Sequence, residues 1–294
     1  MNEDRTPAIL RRADHFYGDF PLALSRIHSH ADCSPHTHEF GELVIVLRGR
    51  GLHITEYDSW PIGAGDVFVL QGRHVHGYVN TSQLDLVNIM FVSDELDMRE
   101  PEIAQLPGFH VLFTLEPRVR RRHRFRSRLC LDAGQLHSVN GLIDRLEREL
   151  CARPIGWRRS ARACFTLIVT ELSRQYSRVD TPAAAALRQL GEALSYIEAN
   201  LREAPTAADI AMAGKMSPRT LTRAFHAALA CSPIEYVVRL RITRAMELLR
   251  STAEPVAEIA YRLGYRDGSY FSRQFRERAG LSPSEYRKAS RPPS

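Results

Sequence analysis

Lysine is almost absent from this chain: Lys215 and Lys288 stand against 38 arginines. Arginine is therefore the default surface cation. The seven arginines crowded between Arg118 and Arg128 accordingly read as a solvated face rather than a second polyanion site. Cysteine is scarce as well. Cys33, Cys130, Cys151, Cys164 and Cys231 are scattered, odd in number and never spaced as CxxC. That excludes a disulfide scaffold and a zinc finger, and suits a reducing cytosol. No apolar run reaches the roughly 18–20 residues of a membrane helix. The first residues carry no apolar core of the signal-peptide kind, so a cytoplasmic location without membrane contact is expected.

What is present is ordinary for a globular chain. Its 294 residues, 44% hydrophobic and 25% charged, fit two domains better than one and argue against disorder. The net charge of +6 is unevenly placed. Residues 1–186 hold 23 Lys+Arg and 23 Asp+Glu, whereas residues 187–294 hold 17 and 11. A neutral first part and a basic last part suggest a sensing module joined to one that binds a polyanion.

The last third repeats itself. Leu221, Arg223, Phe225, Ser232, Pro233 and Tyr236 return as Phe271, Arg273, Phe275, Ser282, Pro283 and Tyr286, a shift of 50, and Asp209-Ile210-Ala211 returns as Glu258-Ile259-Ala260, a shift of 49. Each copy reads as helix, turn, helix. In the first, Thr206 caps a helix over Ala207–Ala213, Gly214–Met216 turn, and Ser217-Pro218 opens the second helix. In the second, a helix over Val256–Leu263 ends at Gly264, Asp267 caps the next, and Gly280 closes it. One further helical turn is expected to end at Tyr286. Between the copies, Ile234, Val238, Ile242, Ala245 and Leu249 recur at helical spacing and predict one rod over Ile234–Arg250. Such a rod, roughly 25 Å long at 1.5 Å per residue, could set two second helices into successive major grooves, roughly 34 Å apart. Arg219, Thr222 and Arg223 line one outer face, and Ser269, Ser272 and Arg273 the other. Arginine can bond a guanine edge bidentately, and hydroxyls reach bases or phosphates.

Ile259-Ala260, Gly264-Tyr265, Asp267, Ser269-Tyr270-Phe271, Arg273, Phe275, Gly280, Ser282-Pro283 and Tyr286-Arg287 resemble the signature of AraC/XylS-type transcription regulators over about residues 187–290. The resemblance implies two helix-turn-helix units on a linker helix, binding promoter DNA. By position it assigns DNA contacts to Arg219, Thr222, Arg223, Ser269, Ser272 and Arg273. Gly268 falls on a further contact position and has no side chain to offer.

From Leu22 to Phe91 the chain reads as short strands: Glu42–Leu47, Leu52–Tyr57, Asp66–Leu70 and Leu84–Phe91, with turns at Arg48–Gly51 and Trp60–Gly65. That spacing suggests a sandwich or barrel. His36, His38, Glu42 and His76, with Gly49 and Gly65, resemble the cupin pattern, although Gln71 and Arg73 depart from its second half. Three imidazoles and a carboxylate could bond a small effector, hold a divalent ion, or be satisfied polar residues. The stretch from His36 to Val46 is most similar to rhamnose-operon regulators, which makes a sugar such as L-rhamnose the named effector. Trp60 could stack on a sugar, or simply pack a turn. Residues 1–20, with Phe16, Tyr17 and Phe20, are either an arm over the pocket or a frayed end.

Leu136, Val139, Ile143, Leu146 and Leu150, then Ala161, Phe165, Ile168 and Leu172, predict a helical hairpin around Arg153–Gly156. Its apolar seam needs a partner: a second copy, as the resemblance implies, or its own barrel. The expected fold is thus α+β. A cupin-like effector-binding barrel with an N-terminal arm spans 1–132, a dimerising helical hairpin 133–176, a linker 177–186, and an all-α double helix-turn-helix domain 187–294. The expected function is a non-enzymatic, cofactor-free, homodimeric transcription regulator, an activator that meets RNA polymerase. The competing reading is a metal-dependent cupin sensor or enzyme, with His36, His38, Glu42 and His76 as ligands, fused to a DNA-binding domain.

Overall fold

The computed structural model describes residues 7–56, 58–71, 74–93, 95–96, 101–118, 128–179 and 181–290. Most of the arginine crowd, 119–127, and the first six residues of the expected arm lie outside them. The chain forms two compact units, Met1–Gly191 and Glu192–Ser294. Among the described residues no helix is long and apolar enough to cross a membrane.

The first unit is built on strands β1 (Ala8–Leu10), β2 (Leu22–Ile27), β3 (Cys33–His38), β4 (Gly41–Thr55), β5 (Ser59–Gly63), β6 (Asp66–Leu70), β7 (His76–Phe91) and β8 (Leu129–Cys130). The long strands β4 and β7 pair along their length and change neighbours part-way. β6 and β2 flank the half around Val44 and Asn88, while β5 and β3 flank the half around His53 and Tyr78. One ladder thereby serves two layers. Between them lies an apolar core of Val44, Val46, Trp60, Ile62, Phe68, Leu70, Tyr78, Leu84 and Leu86.

Three of the expected boundaries change. Arg48–Gly51 is no turn but a run of register shifts inside the continuous strand β4. Gly49 makes this feasible at φ +76, since an added Cβ would lie 2.0 Å from the Gln83 carbonyl oxygen; such a bulge bends a strand without ending it. Trp60 and its neighbours form strand β5, which moves the turn to Ala64-Gly65. Leu84–Phe91 is only the second half of β7. Local turn chemistry cannot tell a bulge from a hairpin; the partner strand decides.

The N-terminal segment is tied down from residue 8 onward. β1 pairs in parallel with β3, Ala8 opposite His36 and Leu10 opposite His38. Phe16 and Phe20 are buried, Phe16 against Phe40 and Phe20 against Trp157, whereas Tyr17 stays exposed beneath the Arg153 guanidinium.

Helices α1 (Arg12–His15), α2 (Pro101–Ala104) and α3 (Pro107–Phe109), the last running on into a π-helical turn over His110–Leu115, precede the hairpin of α4 (Ala133–Ala152) and α5 (Trp157–Tyr176). Asp132 and Gln135 form a reciprocal capping box at the start of α4. The inward stripes, Val139, Ile143 and Leu146 on α4 with Phe165, Ile168 and Leu172 on α5, are buried within the protomer. Phe165 meets Phe91 of β7, and Arg26 of β2 bonds Asn140, Asp144 and Glu147 of α4. The expected linker over 177–186 is also revised. Thr181 and Pro182 start helix α6 (Pro182–Ala199) inside it, and the unit boundary falls within that helix at Gly191–Glu192.

The second unit contains α7 (Ala207–Ala213), α8 (Pro218–Leu229), α9 (Pro233–Ser251), α10 (Val256–Arg262), α11 (Gly268–Ala279) and α12 (Pro283–Ser290). Caps set the boundaries: Thr206 with Asp209, then Ser217, Ser232 and Asp267, each accepting backbone N–H groups of the first turn. α9 is the rod and packs against helices of both copies. Its buried face differs from the expected stripe. Ile234 is exposed and Val238 half-buried, while Val237, Leu240 and Arg241 are buried with Ile242, Ala245 and Leu249. α12 runs to Ser290, beyond the single turn expected.

Candidate functional site

Two sets of side chains carry chemistry, one inside the first unit and one on the surface of the second. The inner set grows from the corner where β3 ends and β4 begins. His36 and His38 stand two residues apart on β3, so both side chains leave the same face. His76, the first residue of β7, lies opposite His36 in the ladder. Glu42 follows the Glu39–Gly41 corner into β4. His38, Glu42 and His76 are all buried, and their ligand atoms lie within 4.8 Å of one another. Nε2 of His38 is 3.6 Å and Nε2 of His76 3.5 Å from the same Glu42 oxygen, Oε2. Burial alone would raise the Glu42 pKa; the two imidazoles outweigh it and hold the carboxyl well below its ordinary range.

His36 is not part of this convergence. Its ring lies 4.4 Å from that of His76, but it is only half-buried and its Nδ1 is 3.1 Å from the Ser34 carbonyl oxygen. Burial and the neighbouring His76 lower its pKa. The motif pattern of the sequence does not single out His53. It is fully buried on β4, opposite Tyr78 and Trp60, with its ring 5.6 Å from that of His76. The signal was present in Leu52-His53-Ile54, where alternation puts the imidazole on the face opposite its apolar neighbours. Trp60 belongs to the core cluster and is 5% exposed. Cys33, 3.6 Å from His36 Nδ1, has its thiol pKa raised by burial and by Glu42, so it is no reactive thiolate.

The outer set lies on the second helices of the repeat. On α8, Leu221, Phe225 and Leu229 point inward, which leaves Arg219, Thr222 and Arg223 exposed. On α11, Phe271 and Phe275 point inward; Ser269 and Arg273 are exposed and Ser272 is half-buried. The hydroxyls match across the copies: Thr222 donates to the Pro218 carbonyl at 2.9 Å and Ser272 to that of Gly268 at 2.8 Å. Each hydroxyl hydrogen is thus committed to its own helix, leaving mainly acceptor capacity outward. The arginines of this unit differ in pairing. Arg239, Arg244, Arg262 and Arg276 are all ion-paired with glutamates. Among the described residues Arg219, Arg223 and Arg273 have no such partner; Arg273 instead lies over the Tyr270 ring. A shallow depression of about 600 Å³ beside α11 is lined by Ser272, Arg273, Arg276, Glu277 and Ser282.

The turn of the second copy is built with care. Gly264 sits at φ +83, and an added Cβ would lie 2.2 Å from the Arg202 carbonyl oxygen and 2.5 Å from the Arg241 guanidinium. That guanidinium is buried, bonds the Leu201 carbonyl and lies over the Tyr265 ring; burial lowers its pKa.

Residues 210–289 match the helix-turn-helix domain family and residues 23–92 the cupin domain family. The HTH-type transcriptional activator RhaR of Salmonella heidelberg (strain SL476) is 30% identical over 257 residues, 87% of each chain. This chain belongs to the AraC-type transcription regulators. The RhaR activator of Enterobacter sp. (strain 638) is 28% identical over 287 residues, covering 97% of this regulator and 98% of that protein. A solved AraC-type regulator from Chromobacterium violaceum is 33% identical, covering 38% of this regulator and 99% of that chain, with a TM-score of 0.35. The regulator is accordingly a DNA-binding protein with a cupin domain, and its relatives are regulators, not enzymes.

Proposed function

We propose that this regulator activates transcription by reading promoter DNA through both copies of its repeat, under control of a small molecule held in the cupin barrel. The observation that carries the DNA reading is the placement of the matched arginines. Arg223 and Arg273, at the same place on the two second helices, are exposed and, among the described residues, without carboxylate partners, whereas Arg239, Arg244, Arg262 and Arg276 are ion-paired. An unpaired guanidinium on a helix is free to bond a guanine edge, and Arg219 with Thr222, and Ser269 with Ser272, complete the two contact faces. The effector reading rests on His36, His38, Glu42 and His76, polar groups gathered on one end of an apolar sheet core. A sugar, with L-rhamnose the first compound to test, is the effector class. The regulator acts as a homodimer that meets RNA polymerase. Because the inward stripes of α4 and α5 are spent on their own barrel, the interface between copies would use outer positions such as the half-exposed Leu167.

The test begins with DNA selected by the full-length protein from a random pool. A half-site of two conserved blocks about one helical turn apart is expected, present twice where a dimer binds; a single block per half-site would remove the second copy from recognition. Thermal-shift measurements with sugars on the same protein test the effector. His38→Ala should abolish the response to the active compound and spare DNA binding, and an unaltered response would take His38 out of the pocket.

A further inference from the structure

We infer that Tyr270 is a positioning residue for DNA recognition: its ring holds the Arg273 guanidinium of the second copy in place before the duplex arrives, a device the first copy lacks. The inference rests on the DNA reading proposed above and adds to it a difference between the copies. Tyr270 stands three residues before Arg273 on α11, a spacing that brings two side chains together on a helix surface. The guanidinium carbon lies 5.5 Å from the centre of the Tyr270 ring, within the range of a cation–π contact. Glu277, four residues beyond Arg273 and exposed, also stands at a spacing suited to an ion pair. Arg273 rests on the ring instead. The choice matters chemically. A carboxylate would occupy the N–H fork that a guanine edge needs. A ring face attracts the charge but presents no lone pair, so the fork stays open.

Tyr270 is itself propped from within. Its ring centre is 6.1 Å from that of Tyr265, and the Arg241 guanidinium lies 5.3 Å over the Tyr265 ring. Tyr265 and Arg241 are both buried. Arg241 bonds the Leu201 carbonyl through two nitrogens, at 3.1 and 2.6 Å. Arg241, Tyr265, Tyr270 and Arg273 thus form a series that runs from a fixed, buried cation to an exposed one through two rings. Tyr265 also meets Phe271 at 5.0 Å and belongs to the apolar cluster that holds Phe271 and Phe275, so the inner end of the series has the rigidity of a packed core. Tyr270, 44% exposed, is its outer end.

The first copy is built differently. The shift of 50 places Thr220 where the second copy has Tyr270, and Lys215 where it has Tyr265. Neither carries a ring, and the Thr220 hydroxyl is 2.9 Å from that of the capping Ser217. Arg223 thus gives up its side-chain freedom when it meets DNA, whereas Arg273 has given up part of it beforehand.

Full-length protein is titrated, by fluorescence anisotropy, against its selected site and against sites altered in one block at a time. The block read by the second copy is the one whose base preference Arg273→Ala erases. Tyr270→Leu should cut discrimination at that block about fivefold and leave the other within about twofold of wild type. Tyr270→Phe keeps the ring and should match the wild type. In the Arg273→Ala background, Tyr270→Leu should change nothing further. An unchanged urea midpoint separates lost positioning from lost folding. Equal loss at both blocks, a further loss from Tyr270→Leu when Arg273 is already gone, or a Tyr270→Phe variant as impaired as Tyr270→Leu overturns the platform. If Arg273→Ala erases no block preference, the DNA reading fails and the platform with it. If Arg273→Ala erases one and Tyr270→Leu leaves it intact, the DNA reading stands and the platform alone falls.

Discussion

The barrel and the helical repeat solve opposite problems with the same few polar residue types. In the barrel, His38, Glu42 and His76 are taken out of water and aimed at one point by strand ends and backbone carbonyls. On the repeat, Arg219, Arg223 and Arg273 are held out in solvent, and helix position decides where they reach. A small ligand or ion is recognised by a few atoms and needs enclosure; a duplex is recognised over tens of ångströms and needs projection. The cost falls in different places. The barrel bears the desolvation of a carboxylate, whereas the repeat bears only the loss of the ion pairs its arginines might have made, which at a surface is small.

The comparison can be broken most forcefully through the cores. Phe271→Ala should cost the second unit about 3–5 kcal/mol and abolish DNA binding, while the barrel keeps its own unfolding transition; one shared transition that moves as a whole would show the units to be less independent than drawn. Next come the contact arginines. Arg223→Ala and Arg273→Ala should each weaken specific DNA binding by roughly 1–3 kcal/mol with unfolding midpoints unchanged. If Arg239→Ala, which breaks an ion pair, weakened binding as much, the division into paired and reading arginines would be wrong. Removing the cap by Thr206→Ala should lower the stability of the second unit by about 1 kcal/mol, measurable as a shifted denaturation midpoint with the barrel unaffected. The smallest effect concerns pH. Hydrogen bonds from Thr206 and Ser282 hold Asp209 and Glu285 below their ordinary pKa. Folded carboxyls with lowered pKa stabilise above the unfolded value of about 4 and lose that contribution as pH falls through the folded one. The second unit should therefore weaken on acidification below about pH 4, and Asp209→Asn should flatten that limb of the profile.

How much could be read in advance differs between the two regions as well. The repeat was legible because its signals are local. Ser217-Pro218, Thr206 with Asp209, Asp267 and Gly264 each act within a turn of their own position, and the helix boundaries follow from them. The rod's buried face was read less well. Arg241 is buried because Tyr265 and the Leu201 carbonyl, distant in sequence, receive its guanidinium, so no periodicity rule would have placed it inside. The barrel was legible in composition but not in path. Gly49 reads as a turn residue and serves as a bulge, and the strand order depends on which partner β4 and β7 hold at each end. His36 and His38 share a motif and a face, yet only His38 turns into the converging trio. His53 joins that neighbourhood from another strand.

The amino-acid sequence by itself determined the duplicated helix-turn-helix unit, its caps and its outward arginines, because helix formation and capping act over a few residues of chain. Only the tertiary structure decided which polar groups of the barrel meet, and that the seam of the α4–α5 hairpin is spent on its own protomer. Those outcomes depend on atoms brought together across scores of residues, where burial and partner geometry, rather than neighbouring chemistry, set the free energy.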